Sequence, residues 1–379
     1  LGQIGIILLI QTGGIGFMTM ATLFSLLLKR NIGISERLVM AQGLNMGDMS
    51  GIVRLTKTVL LGTLTFEGIG ALILSIRFSS DFGWAKGIYF GVFHSISAFC
   101  NAGFDLMGGV QPFSNLTYYA EDIVVNVVIM SLIVIGGLGF YVWSDISRCK
   151  GFKGLSVYSK VVLIVTSILI FGGAFAFTIF EHNNPLINDN LGIKGRIFVP
   201  LFQSVTSRTA GFNTVNLYNL TPSSKVLTCM LMFIGGSSGS TAGGIKTFTF
   251  AVMVMMVINA ARGKRDVVFY GRKINNDNVL RALSLTAISA SLILISMFLI
   301  SIAEPYSLLE IIFECFSAFA TVGLTLGITS SLTIFSKIIL IVLMFLGRVG
   351  ILTFTYGIAM QFAKNSSVIS YPETKVFIG

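Results

Sequence analysis

Charge is what this 379-residue chain has least of. Asp, Glu, Lys and Arg make up 11% of it against 54% hydrophobic residues, where a soluble domain carries about a quarter charged residues. That scarcity excludes a soluble globular protein. Histidine is nearly absent, and the two residues present, His94 and His182, are too few for a histidine metal cluster or a proton relay. The four cysteines, Cys100, Cys149, Cys229 and Cys315, are scattered with no Cys-x-x-Cys spacing. They read as small apolar packing residues and exclude a disulfide or zinc framework. No His/Asp or Ser/His set suits an intramembrane enzyme, so none is expected. A cleavable signal peptide is also missing. The chain opens at Leu1 inside an apolar run, which is what a fragment lacking its true N-terminus would look like.

What fills the chain instead is apolar. Such segments run at about 1–28, 52–78, 121–145, 157–181, 223–262, 277–302 and 333–363. Several exceed the roughly 20 residues that cross a bilayer core, so a multi-pass membrane protein surrounded by lipid is expected. The net charge of +10 is gathered in loops. One cluster holds Lys29, Arg30, Arg37, Arg54 and Lys57, a second Arg148, Lys150, Lys153 and Lys160, and a third Arg262, Lys264, Arg265, Arg272, Lys273 and Arg281. By the positive-inside pattern these loops face the cytoplasm. Nucleic-acid binding would be the reading of such charge in a soluble protein and does not suit this one.

Between the apolar segments, a short semi-polar stretch recurs three times. It reads Ser-Ile-Ser-Ala-Phe-Cys-Asn-Ala-Gly-Phe at 95–104, Phe-Gln-Ser-Val-Thr-Ser-Arg-Thr-Ala-Gly-Phe at 202–212 and Glu-Cys-Phe-Ser-Ala-Phe-Ala-Thr-Val-Gly-Leu at 314–324. Aligned on the glycines, which are 108 and 112 residues apart, the copies end in Asn101, Ala102, Gly103, Phe104; Thr209, Ala210, Gly211, Phe212; and Thr321, Val322, Gly323, Leu324. The apolar parts of these stretches, 87–99, 197–204 and 308–319, are too short to span and suit re-entrant helices on the extracellular side. Non-helical backbone at membrane depth is tolerated only when buried in protein or lining water. The side chains before each glycine are uncharged, which leaves backbone carbonyls as ligands; rings of carbonyls can replace the hydration shell of a monovalent alkali cation. A divalent site would want carboxylates. Only Asp105 stands near a hairpin glycine, at a position suited to attracting cations at the mouth. Plain turns between packed helices are the alternative, and three copies in register weigh against it.

A second repeat lies in the following helices, at Gly13, Gly136, Gly235 and Gly347. Its glycines suit close helix packing. Together the two repeats predict an all-α membrane protein of four pseudo-repeats, each helix, re-entrant pore loop, helix, around one central pore, with the first repeat truncated at its N-terminal side. Residues 1–50 would hold the second helix of repeat 1 and a cytoplasmic loop, 51–150 repeat 2, 151–270 repeat 3 with a broken pore-lining helix, and 271–379 repeat 4 and the tail.

Two features suggest a gate. As one helix, 223–262 would be about 60 Å long at 1.5 Å per residue, twice the bilayer core of about 30 Å. At its centre stand Gly235, Gly236, Ser237, Ser238, Gly239, Ser240, Thr241, Ala242, Gly243 and Gly244, a stretch whose five glycines and four hydroxyl residues give it poor helix propensity and wide backbone freedom. An unwound intramembrane loop beneath the hairpins is predicted. A nucleotide-binding Walker loop needs Gly directly before Lys, whereas Ile245 precedes Lys246. Arg348 lies 11 residues after Lys337 and 16 before Lys364, too deep to snorkel out. A mid-membrane Arg costs about 2.5–3.5 kcal/mol on insertion scales, so it should face water or bond the loop carbonyls below the filter. Glu67 is a similar buried charge, expected to have a structural partner.

These residues resemble the Trk, Ktr and HKT potassium transporters, above all the membrane subunits of bacterial Ktr systems. The resemblance spans the chain: Gln-Thr-Gly-Gly-Ile-Gly-Phe-Met at 11–18, Asn-Ala-Gly-Phe at 101–104, Thr-Ala-Gly-Phe-Asn at 209–213, Gly-Ser-Thr-Ala-Gly-Gly-Ile-Lys at 239–246, Thr-Val-Gly-Leu-Thr at 321–325, Gly-Arg at 347–348 and Tyr-Pro-Glu at 371–373. It implies channel-like K⁺ uptake in a bacterial cell membrane. Gly103, Gly211 and Gly323 would be filter glycines, 235–244 with Lys246 the gating loop and Arg348 its arginine. It implies a homodimer on a cytoplasmic ring of nucleotide-binding regulatory subunits, with ATP or ADP bound on that partner and no cofactor on this chain. A cation-coupled secondary transporter of a small solute is the competing class, but its inverted repeats do not match repeats that run parallel.

Overall fold

The computed structural model describes residues 2–15, 52–109, 113–149, 151–189, 191–264 and 266–349. Lys29, Arg30, Arg37, Lys150, Arg265 and the stretch 350–379 lie outside the described residues.

The described chain is almost wholly helical. In order come α1 (Gly2–Ile15), α2 (Ile52–Phe82), α3 (Trp84–Phe99), α4 (Ile123–Leu138), α5 (Phe140–Arg148), α6 (Val157–Glu181), α7 (Pro185–Asn188), α8 (Ile193–Thr206), α9 (Pro222–Phe233), α10 (Thr247–Ala261), α11 (Asn276–Ala303), α12 (Leu308–Phe319) and α13 (Ile334–Val349). Three stretches, Thr58–Phe82, Val157–Glu181 and Asn276–Ala303, are long and apolar enough to cross a bilayer. After each comes a helix too short to do so. These are α3, α8 and α12, of 16, 14 and 12 residues, and at 1.5 Å per residue none reaches the roughly 30 Å of a hydrocarbon core. Each packs back on its predecessor, α3 on α2, α8 on α6 and α12 on α11.

Local sequence sets where these elements start. Asp122, Ser156, Thr221 and Ser307 each accept a backbone N–H at the first turn of α4, α6, α9 and α12, and Glu310 completes a reciprocal capping box at the last. Such caps satisfy donors that a helix start otherwise leaves orphaned.

The three units share a clamp that the sequence reading missed. Where a long helix ends, a charged residue grips the start of the helix after the hairpin. Arg77 Nε donates to Asp122 at 2.5 Å. Glu181 accepts from the backbone and hydroxyl of Thr221 at 2.9 and 2.8 Å. Glu304 accepts from the same two groups of Thr333 at 2.8 and 2.6 Å.

In two places the structure departs from the sequence reading. Segment 121–145 is not one straight span: α4 and α5 meet at 91°. Gly139 sits at the bend with φ +88°, a conformation open to glycine but not to most L-residues, so this glycine bends the chain as well as packing. The all-α expectation also misses a small antiparallel hairpin, Val268–Phe269 with Arg272–Lys273, inside the third basic cluster. Its turn residues Tyr270 and Gly271 both have positive φ, as a tight hairpin turn requires.

The Thr333 hydrogen bonds hold the Glu304 carboxyl below the ordinary carboxylate range. A carboxyl with a depressed folded pKa stabilises the fold above its unfolded pKa and loses that contribution as pH falls through the folded value. Glu304→Gln should therefore lower the thermal midpoint at pH 7. The gap to the parent protein should close as the pH drops below about 4, near the unperturbed glutamate value. A gap that persists in acid would show that the clamp works without its charge.

Candidate functional site

The three hairpins have one backbone design. In each, the residue two before the glycine and the glycine itself are both left-handed: Asn101 and Gly103 at φ +51° and +72°, Thr209 and Gly211 at +73° and +93°, Thr321 and Gly323 at +52° and +89°. Asparagine tolerates this region, but a β-branched threonine there is a true outlier. Strain of this kind persists only where the surroundings impose it, and it clusters at functional sites. The hairpins are tied back to their helices. Ala102 N donates to Ser97 O and Val322 N to Ser317 O, each at 2.8–2.9 Å, and Ala210 N to Thr206 O at 2.9 Å. Ser97 and Thr206 hydroxyls reach forward to Phe104 O and Phe212 O at 2.7 and 2.6 Å.

The glycines meet. A Cβ on Gly103 would stand 2.5 Å from Ala210 O, and one on Gly211 would overlap Val322 O. Above this contact opens a cavity of about 1410 Å³, lined by Ala102, Gly103, Phe104, Gly211, Gly323 and Leu324 among others, with Asp105 in its wall. All three hairpin glycines thus border one space. Next to them the Asn101 amide and the Thr209 hydroxyl are buried without a hydrogen-bond partner.

On the other side of the hairpins lies the backbone from Ile234 to Lys246, where α9 ends and α10 has not begun. Its neck is closed by a short parallel ladder: Ile245 N to Phe233 O, Gly235 N to Ile245 O and Thr247 N to Gly236 O, at 2.9–3.1 Å. Its tip reaches into other units. Ser237 N donates to Gly137 O and Phe140 N to Gly239 O, at 3.0 and 2.9 Å; Ser237 Oγ donates to Leu138 O. The Thr241 hydroxyl donates to Phe99 O at 3.1 Å. The carbonyls freed by the bend at Gly139 are therefore taken up by the loop. Ser238 and Ser240 sit half-buried at the tip, while Gly244, at φ +66°, turns the chain back.

Two cations bind the loop's carbonyls. Lys246 Nζ donates to Ala242 O at 2.8 Å. Arg348 Nη1 donates to Thr241 O and Nη2 to Gly13 O, both at 2.6 Å. Three glycines of the second repeat work by close approach: Cβ atoms on Gly136 and Gly347 would overlap Phe99 O and Phe319 O, equivalent carbonyls at the ends of α3 and α12, and one on Gly235 would overlap Gly243 O, whereas one on Gly13 meets open space. Gly243 presses in the same manner on Ala320 O, and Gly14 on the Cys100 side chain.

The TrkH family profile, described as a cation transport protein, matches residues 6–368. The chain belongs to the TrkH cation transport family. It is 41% identical to the Ktr system potassium uptake protein B of Bacillus subtilis over 378 residues, covering 100% of this chain and 83% of that protein. It is 39% identical to the potassium/sodium uptake protein NtpJ of Enterococcus hirae over 386 residues, with coverage of 100% and 83%. The crystal structure of the potassium transporter TrkH from Vibrio parahaemolyticus has the same fold, with a TM-score of 0.71 at 18% identity over 93% of this chain and 71% of that one.

Within this TrkH-family fold, two further charges are buried: Glu67 has structural partners, as expected, though neutral ones, and Arg208 was not anticipated. Glu67 takes no cation among the described residues: it accepts from Gln11 Nε2 at 3.0 Å and from the Cys100 thiol at 3.6 Å, joining α1, α2 and α3. Arg208, which the sequence reading passed over, is buried three residues before Gly211. Its position inside a repeated motif, where the other copies have Cys100 and Ala320, was the available signal.

The glycines should respond unequally to substitution. Gly323→Ala meets open space, so it should lose only the roughly 1–2 kcal/mol of a left-handed L-residue. Gly211→Ala must also displace the Val322 backbone and should be clearly the more destabilising. Thermal unfolding of the purified variants reads this directly; equal midpoints would contradict the contact at Gly211.

Proposed function

We propose that this membrane protein mediates channel-like K⁺ uptake, selecting the ion at Gly103, Gly211 and Gly323 and gating it with the loop at 235–246. The observation that carries this reading is the meeting of three strained, glycine-centred hairpins at the floor of one cavity. Left-handed residues at alternate positions reverse every second peptide, which lets successive carbonyls face the same space. Carbonyl rings of that kind suit a dehydrated monovalent cation. The unpartnered oxygens of Asn101 and Thr209 add side-chain acceptors two residues deeper. The names of the two relatives, one a potassium and the other a potassium/sodium uptake protein, agree with a monovalent alkali cation.

In this reading the chain forms four helix–hairpin–helix units around one axis. Repeats 2, 3 and 4 are held in 51–150, 151–270 and 271–379, and α1 stands as the second helix of the remaining unit. The hairpins face outward and the basic loops the cytoplasm. The loop closes the path below the filter, with Lys246 and Arg348 placing positive charge where a cation would pass. The working assembly is a homodimer on a cytoplasmic ring of regulatory subunits that bind ATP or ADP, so nucleotide acts from that partner. Selection by carbonyls needs no cofactor on this chain.

Uptake of ⁸⁶Rb⁺ into proteoliposomes, competed with K⁺ and with Na⁺, tests the assignment. Gly211→Ser should cut the preference for K⁺ over Na⁺ by about tenfold, ~1.4 kcal/mol, since a Cβ and hydroxyl crowd the coordinating carbonyls. An unchanged ratio in a folded variant would remove the filter from these hairpins. Arg348→Ala and deletion of Ser238 to Ser240 should each raise flux measured without any cytoplasmic partner. Unaltered flux in both would place the gate elsewhere.

A further inference from the structure

Arg208 is 8% exposed and lies at the C-terminal end of α8, between the helix and the hairpin glycine Gly211. Among the described residues no carboxylate pairs with it. Its guanidinium Nη2 instead donates to Gly235 O at 3.0 Å and to the Thr247 hydroxyl at 3.0 Å. Thr247 Oγ1 in turn donates to the same Gly235 O at 2.9 Å. Gly235 and Thr247 are the two ends of the neck of the intramembrane loop. One buried cation therefore clasps both ends of the loop and is covalently three residues from the hairpin glycine.

That placement is unusual on physical grounds. A buried charge without a counter-ion is expensive and is kept only where its hydrogen bonds are well made. A neutral side chain could cap a single carbonyl. Here the one nitrogen Nη2 reaches both acceptors at once, while Nε is buried with no partner among the described residues, so the length of the arginine rather than its fork brings a donor to the neck. Cys100 and Ala320 occupy the same position in the other two hairpins; the helix after the Cys100 hairpin bends at Gly139 but resumes at once as α5. Among the described residues, the cation at this position stands in the unit whose following helix unwinds into a loop.

We propose that Arg208 is a positioning residue that couples the Gly211 hairpin to the neck of the intramembrane loop. Opening the neck requires Gly235 and Thr247 to part, which breaks the clasp and frees the end of α8. A change at Ala210 and Gly211 is transmitted in the reverse direction. The inference rests on the filter-and-gate reading above, but the clasp itself makes a prediction that does not depend on which ion passes.

Cysteine labelling tests it in the full-length chain. In a Cys149→Ser background, Ser240→Cys places a thiol at the half-buried loop tip, and its rate of reaction with a maleimide reports how often the loop opens. Adding Arg208→Gln should raise that rate at least fivefold. Arg208→Lys, which keeps the charge but whose shorter side chain ends one bond before the place of Nη2, should give a similar increase, as should Thr247→Val. Thr247→Ser, which restores the hydroxyl, should bring the rate back. In the double variant Arg208→Gln/Thr247→Val the rate should match that of the single variants, because each removes the same clasp. Unchanged labelling in Arg208→Lys and Thr247→Val, or multiplied rates in the double variant, would overturn the coupling. If Arg208→Gln fails to fold, those two variants still decide. ⁸⁶Rb⁺ flux on the same samples separates the two readings: flux without K⁺ preference in the parent protein would sink the filter assignment while leaving the labelling result to judge Arg208.

Discussion

Backbone that leaves a helix at membrane depth has no water to bond, so its N–H and C=O groups must find partners in the protein. Most of what is distinctive here follows from that constraint. Three hairpins, the bend at Gly139 and the unwound loop at 235–246 expose many such groups, and many of these are met by the hairpin's own helix or by another irregular segment. The loop at 235–246 bonds its own neck, the carbonyls freed at the Gly139 bend and the end of α3. The glycines that press on Phe99 O, Ala320 O and Phe319 O are the geometric side of the same requirement, since backbone reaches backbone only where no Cβ intervenes. The irregular parts are thus mutually dependent. Moving one leaves orphaned groups in the others, which is how a local change can become a collective one.

The cations fit this scheme. Lys246, Arg348 and Arg208 all spend their donors on carbonyls and on one hydroxyl, not on carboxylates. A hydrogen bond to a charged group contributes about 1.5–3 kcal/mol, enough to hold an unwound segment that has little helix propensity of its own. In the proposed gating the same charges would oppose a passing cation, and in a low-dielectric surround such repulsion is stronger than in water. Under that proposal, holding the loop and blocking the path are one act. Withdrawing Arg348 from Thr241 O would remove both.

Much of this was legible in the sequence because it is written in composition and periodicity. The apolar segment lengths announce the spans, and three aligned glycines announce the hairpins. A 40-residue run with nine poor helix formers among the ten residues at its centre announces a break. What stayed hidden is relational. The strained residues Thr209 and Thr321 look ordinary until φ is known, because positive φ is expected of glycine alone. The Gly139 bend is invisible for the opposite reason: a Gly-Gly-Leu-Gly string suits helix packing equally well, and only the loop arriving from residue 237 gives it a reason to bend. Glu181 and Glu304 precede their threonine partners by 40 and 29 residues, a variable spacing that no pattern search would join. Arg208 was on view within the repeat, yet its importance lies in what it touches.

Equivalence among the units stops where only one segment can fit. Hairpins can surround a space in several copies, but the place beneath them admits a single loop. The unit that supplies it must break its helix, and the others must yield. Accordingly α9 ends at Phe233, α4 turns aside at Gly139, and α13 continues helical to Val349 while contributing Arg348 from its side. Even α1 takes part, offering Gly13 O as the second acceptor for that arginine. The same divergence reaches the short helices. Nine residues before each hairpin glycine stand His94, Phe202 and Glu314. His94 Nε2 meets Leu106 N at 3.4 Å, and Glu314 accepts from the Thr325 and Thr329 hydroxyls, while Phe202 is buried in the apolar core. Two hairpins are therefore braced from behind by polar bonds, and the third is braced from below by Arg208. The hairpin lacking the rear brace is the one tied to the loop, which under the proposed gating makes it the wall best placed to move with that loop.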